Sequence, residues 1–206
     1  EKAYEFYKKA KKINPNIATF HHIVGLFFRS LGLLHQAIES ASRSMELDPF
    51  YLPSQSLRAR SYIYLKEFEK AAICIANSFE IEKDNFWSLL DRCILLIMTK
   101  KYQEAKEVLA KVEKINPRYS SVQYYKALLF AADGEKKKAL SIRKNGAVYA
   151  LLGMKKEAIK YIDKAIKRGN EHFQYSYLPL LNNHIYDSLR DDPQFEKILE
   201  TQKLKY

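Results

Sequence analysis

The chain has 206 residues, 35 basic against 24 acidic for a formal charge of +11, with 47% apolar and 29% charged residues. This composition excludes collagen-like, low-complexity and wholly disordered chains, and the length suits one or two ordinary domains. No apolar run exceeds six residues, as in Cys93–Met98, against the roughly 20 that span a bilayer. Only six Gly and six Pro accompany 15 Tyr and 11 Phe, which argues for helices joined by short turns rather than an all-β chain. Residues 1–12 carry seven charges, unlike the apolar stretch of a secretory leader. The first residue is Glu1, inside a helical pattern, so the sequence reads as part of something longer. Cys74 and Cys93 stand in apolar helical stretches without C-x-x-C spacing. They read as small core hydrophobes in a reducing, cytoplasmic setting, with the longer protein free to be membrane-anchored.

From the N-terminus, Ala3, Ala37, Ala71, Ala105 and Ala139 recur every 34 residues. Pro15, Pro49 and Pro117 follow in the same frame, and Lys83 fills the remaining slot. Four residues after the alanine comes Tyr7, Ala41, Ile75 or Leu109, and seven after comes Ala10, Ser44, Ser78 or Val112. Offsets of 0, 4 and 7 share one helix face. Small residues at 0 and 7 let a neighbouring helix approach, and proline ends the helix. Upstream lies a second helix with its own small residue, Gly25, Ala59, Cys93 or Ala127, and Phe28, Tyr62, Leu96 or Phe130 three later. Gly32 and Gly134 mark the turn between the two helices.

This pattern resembles the tetratricopeptide repeat, a 34-residue helix–turn–helix. The resemblance implies an all-α, right-handed α-α superhelix in which each unit contacts its neighbours. The expected organisation is a second helix at 1–17, full repeats at 18–51, 52–85 and 86–119, an irregular repeat at 120–145, another at 146–170, and capping helices over 171–206. Register breaks after Ala139, because the next equivalent residue, Ala158, follows after 19 rather than 34 residues. Either the repeat is truncated, with Ala139 opening one irregular helix, or a flexible segment near Leu140–Lys144 is absent from the sequence at hand. The second reading is favoured, because Gly146 in mid-helix would cost up to about 1 kcal/mol. In the tail, Tyr177–Leu181 reads as a short helix and Asn182–His184 as a turn. Asp192 reads as N-cap with Pro193 at the first helical position, before Phe195, Ile198 and Leu199 form an apolar stripe. Residues 146–200 are also similar to the C-terminal ends of bacterial multidomain tetratricopeptide-repeat proteins, in which such an array follows a kinase, cyclase, winged-helix or TolB-like domain.

Nothing in the sequence gathers acids, bases and nucleophiles as an active site does, and no phosphate-binding or nucleophile-elbow motif occurs. The reading is a non-enzymatic scaffold without metal or cofactor. Through the resemblance, a protein or peptide segment would bind the concave groove through His22, Leu26, Arg29, Arg60, Tyr64, Trp87, Leu90, Ile94, Ile97 and Tyr124. His22 and Leu26 replace the Lys and Asn with which chaperone-binding repeats hold a C-terminal carboxylate. The strip of Trp87, Leu90, Ile94 and Ile97 is either a docking surface for an apolar segment or core covered by later helices. Residues 111–170 carry 15 basic and 5 acidic residues. Lys136, Lys137, Lys138, Arg143, Lys144, Lys155 and Lys156 form a basic edge there, the alternative being a site for nucleic acid or an anionic surface.

Overall fold

The structure is a computed structural model and describes residues 16–168 and 177–203. The helix expected at 1–17 lies outside these residues apart from its last two positions. The chain divides into two compact units, Glu1–Lys83 and Asp84–Tyr206.

The described part of the first unit comprises α1 (Ala18–Ser30), α2 (Leu34–Leu47), α3 (Leu52–Tyr64) and α4 (Phe68–Ile81). The helices pair as hairpins, α1 with α2 and α3 with α4, and α3 also packs on α1 and α2. The small residues of the 34-residue frame are the contact points: Gly25, Ala37, Ala41, Ala59 and Ala71 are all buried. A Cβ at Gly25 would come within 2.6 Å of Leu57 Cδ2 and 3.1 Å of the Ala37 carbonyl oxygen. Ser44 uses its small size differently. Its buried hydroxyl donates to the Ala18 carbonyl at 2.8 Å and accepts from Ser54 at 2.8 Å, tying α2 to α1 and α3.

The second unit contains α5 (Phe86–Met98), α6 (Tyr102–Ile115), α7 (Ser120–Ala132), α8 (Lys136–Ile142), α9 (Gly146–Leu151) and α10 (Lys155–Lys167). Then come α11 (Tyr177–Asn182), a 3-10 segment (His184–Leu189) and α12 (Pro193–Lys203). Again the hairpins are α5–α6, α7–α8 and α9–α10, with α7 packed on both α5 and α6 and α9 on α7. Cys93, in the small-residue slot of α5, lies 4.0 Å from the Ala105 carbonyl of α6, and burial pushes its thiol up to about 12. Lys106 on α6 reaches Asp133 at 2.6 Å and Glu135 at 3.5 Å, pinning α6 to the α7–α8 turn.

One turn geometry recurs at every hairpin. The backbone N–H of Leu33, Glu67, Lys101, Glu135 and Met154 donates to the carbonyl of Phe28, Tyr62, Leu96, Phe130 and Tyr149 respectively, at 2.8–2.9 Å. The residue before each donor is left-handed: Gly32, Lys66, Lys100, Gly134 and Gly153 have φ of 61–79°. This is the Schellman closure of a helix C-terminus. Glycine marks it at three turns only, and lysine adopts the same conformation at the other two.

The shortfall after Ala139 is made up of two half helices. Where α2 runs ten residues beyond Ala37, α8 stops three beyond Ala139; where α1 begins seven residues before Gly25, α9 begins at Gly146 itself. The second half of one helix and the first half of the next are therefore replaced by Arg143, Lys144 and Asn145. Asn145 caps α9 by accepting from the Val148 N–H at 2.9 Å. A single irregular helix through Ala139 and Gly146 is not what forms. The chain is extended at Arg143 and Asn145, and the glycine sits at a helix start where it costs little.

At the C-terminal end the 3-10 segment packs on α9, and α12 packs on α11 and α10. Asp192 Oδ1 accepts from the Gln194 N–H at 2.9 Å, with Pro193 opening α12. Phe195 is completely buried, alongside Leu180, Ile185 and Leu189.

Candidate partner-binding surfaces

In the first unit, five residues expected to face a partner lie on neighbouring helices. His22, Leu26 and Arg29 follow one another along α1, and Arg60 and Tyr64 stand on α3; all five are half-buried. His22 Nδ1 lies 3.4 Å from Ser54 Oγ, and its ring meets Tyr51 edge-on at 5.4 Å between centroids. Burial, with a smaller contribution from the Arg29 charge, lowers the His22 pKa. The imidazole is thus neutral at pH 7 and serves as a hydrogen-bonding group between two guanidinium-bearing helices.

In the second unit the expected strip splits. Leu90, Ile94 and Ile97 are 0%, 6% and 2% exposed, so they lie in the core of this structure. The physical reason is that α5 is packed by both α6 and α7, while His184 of the 3-10 segment reaches Met98 with Nε2 2.7 Å from the sulfur. Trp87 alone remains at the surface, 45% exposed. It belongs to a different grouping, edge-on to Phe86 and Tyr119 at 5.3 Å each. Tyr124 is half-buried under the Arg143 guanidinium, 5.4 Å from ring centre to Cζ. The truncated repeat thus brings together one residue assigned to the groove and one assigned to the basic edge.

The basic edge is exposed at all seven positions. Two of its cations are engaged: Arg143 on Tyr124, and Lys138 in an ion pair with Glu135 while lying 5.3 Å from the Phe130 ring centre. The Lys138 and Lys106 contacts hold the Glu135 carboxyl below its ordinary range.

Sequence reasoning passed over a second cationic feature. Between α10 and α12 runs a groove of about 890 Å³, floored by isoleucines and edged by lysines. Its lining residues recur at helical spacing, Lys156, Ile159, Lys160 and Asp163 along α10 and Gln194, Lys197, Ile198 and Thr201 along α12, but both helices read first as ordinary amphipathic core elements. Among the described residues no three His, Cys, Asp or Glu side chains are grouped to hold a metal ion, and no helix is long and apolar enough to cross a membrane.

Stacked hairpins with small-residue contacts and a common turn closure define the class: an all-α helical repeat of the tetratricopeptide type. The tetratricopeptide-repeat sequence pattern matches residues 146–169. The fold is similar to that of TTC0263, a thermophilic tetratricopeptide-repeat protein of Thermus thermophilus (TM-score 0.61, 16% identity, covering 77% of this chain and 94% of that one). It is similar also to a tetratricopeptide-repeat protein of Parabacteroides merdae (TM-score 0.54, 17% identity, 97% and 90% covered). A third likeness is to YrrB, described as a tetratricopeptide-repeat protein with an unusual peptide-binding site (TM-score 0.50, 14% identity, 96% and 92% covered). No curated protein sequence matches the chain.

Proposed function

We propose that the chain is a non-enzymatic protein-interaction scaffold whose first unit binds an extended, acidic peptide segment across α1 and α3. The observation that carries this reading is the alignment of His22, Leu26 and Arg29 beside Arg60 and Tyr64, half-exposed on adjacent helices of one hairpin stack. Two guanidinium groups suit carboxylates, which they can bind in bidentate fashion. Leu26 and the Tyr64 ring supply apolar area between them, and neutral His22 adds a hydrogen-bonding group without further charge. The peptide-binding site named for YrrB lends support from a protein of similar fold.

An array of extended ten-residue peptides, graded in acidic and aromatic content, tests the reading by fluorescence anisotropy. Acidic peptides should bind in the micromolar range and lose at least tenfold in affinity to an Arg29→Glu/Arg60→Glu double variant. Affinity indifferent to that reversal contradicts the assignment of the site. The basic edge keeps a second reading alive, because Lys136, Lys137, Lys144, Lys155 and Lys156 remain exposed. A steeply salt-dependent mobility shift of DNA or RNA, lost on reversing Lys136, Lys137 and Lys144, would favour it over peptide binding.

A further inference from the structure

The helices α10 and α12 meet along only part of their length and leave a groove between them. Its floor is apolar: Ile159 is buried, and Ile166 and Ile198 are half-buried. Its rim is basic. Lys156 and Lys160 line the α10 side and Lys197 the α12 side, and these three make no ion pair with any described residue. One acid lines the groove, Asp163, and it is already bonded to Lys167 at 2.7 Å. The groove-lining face of α12 is made by Gln194, Lys197, Ile198, Thr201 and Gln202. Glu196 and Glu200 fall roughly 130–170° around the helix from the middle of that face, so they do not neutralise the rim.

We propose that this groove receives a short amphipathic helix with acidic flanks from a partner protein. Charge complementarity selects the flanks, since three uncompensated ammonium groups border the groove from both sides. The apolar floor selects the central stripe. The groove walls are helices of 13 and 11 residues, roughly 16–20 Å at 1.5 Å per residue, which accommodates about three turns of a bound helix. A helix laid between two others buries residues at i, i+3, i+4 and i+7. An extended peptide of the same composition would place alternate residues on the floor and waste half its apolar area. This surface is separate from the α1–α3 face and does not depend on it.

The test uses the full chain and a 14-residue, lactam-stapled helical peptide with leucines at i, i+3, i+4 and i+7 and glutamates on both flanks. Fluorescence anisotropy should show binding in the range of tens of micromolar. A Lys156→Glu/Lys160→Glu/Lys197→Glu variant should lose at least tenfold in affinity. The three lysines are exposed, and a circular dichroism melt unchanged from the parent chain separates lost binding from lost folding. As a second variant, Ile198→Gln should weaken binding three- to tenfold without altering the charge. The proposal is overturned by any of three results: no binding up to 1 mM, equal binding of a proline-broken version of the peptide, or binding that the lysine reversals leave intact. Lysine-dependent capture of phosphatidylserine vesicles without peptide binding would also overturn it and would make the groove a lipid-facing surface.

Discussion

At the scale of single residues, the repeat turns demand a left-handed backbone whatever the side chain. Gly32, Gly134 and Gly153 meet that demand freely, whereas Lys66 and Lys100 adopt φ of 63° and 61°. An L-residue there carries a steric cost of about 1–2 kcal/mol, offset in a glycine variant by the greater freedom of the unfolded chain. Lys66→Gly and Lys100→Gly should each therefore stabilise the chain by about 0.5 kcal/mol, read as a higher denaturation midpoint in urea. Unchanged or lower midpoints would mean that the closure is not strained at lysine. These two turns are not legible in the sequence, because their hydrogen-bonding pattern is backbone-only. The small-residue positions are legible, because Gly25, Ala37, Ala71 and Ala105 sit where any larger group meets a neighbouring helix, as the 2.6 Å approach at Gly25 makes plain.

At the scale of elements, the expected face of α5 illustrates what periodicity leaves open. Positions 5, 9 and 12 of a first helix share a side, and in α1 they are the half-exposed His22, Leu26 and Arg29. In α5 the same positions are Leu90, Ile94 and Ile97, and they are buried. Helical spacing identifies the face but not what covers it, which depends on the packing of α7 and the 3-10 segment from far along the chain. The two kinds of position should respond differently to truncation. Leu90→Ala should cost about 2–5 kcal/mol of folding stability through the cavity it leaves. Trp87→Ala should cost about 1 kcal/mol, since half the ring is already in water and the edge-on pairs with Phe86 and Tyr119 contribute modestly. Equal melting losses in the two variants would contradict the division of the strip. The half-helices α8 and α9 are hidden for a related reason. A shortened period shows that the repeat is short of its full length but does not say that both helices give up half of theirs, a solution that keeps α9 packed on α7.

At the scale of the whole molecule, the charge of +11 resides mostly in the stretch 111–170, yet the cations are not equivalent. Some are consumed within the fold: Lys106 on Asp133 and Glu135, Lys126 on Glu113, Lys138 on Glu135, and Arg143 on Tyr124. Formal charge alone points to a nucleic-acid edge, whereas the acidic-peptide binding proposed above draws on the guanidinium groups of α1 and α3. Such recognition should keep part of its affinity at high salt, because bidentate guanidinium–carboxylate pairs beside apolar contacts are less screened than phosphates on exposed lysines. The measurement that tests this most directly is an amide-shift titration by nuclear magnetic resonance with the tightest acidic peptide from the array, at 300 mM salt. Acidic-peptide binding across α1 and α3 predicts perturbations concentrated on His22, Leu26, Arg29, Arg60 and Tyr64, with Leu90 and Ile94 unmoved. Perturbations confined instead to Lys136–Lys144, or vanishing altogether at that salt concentration, would contradict it.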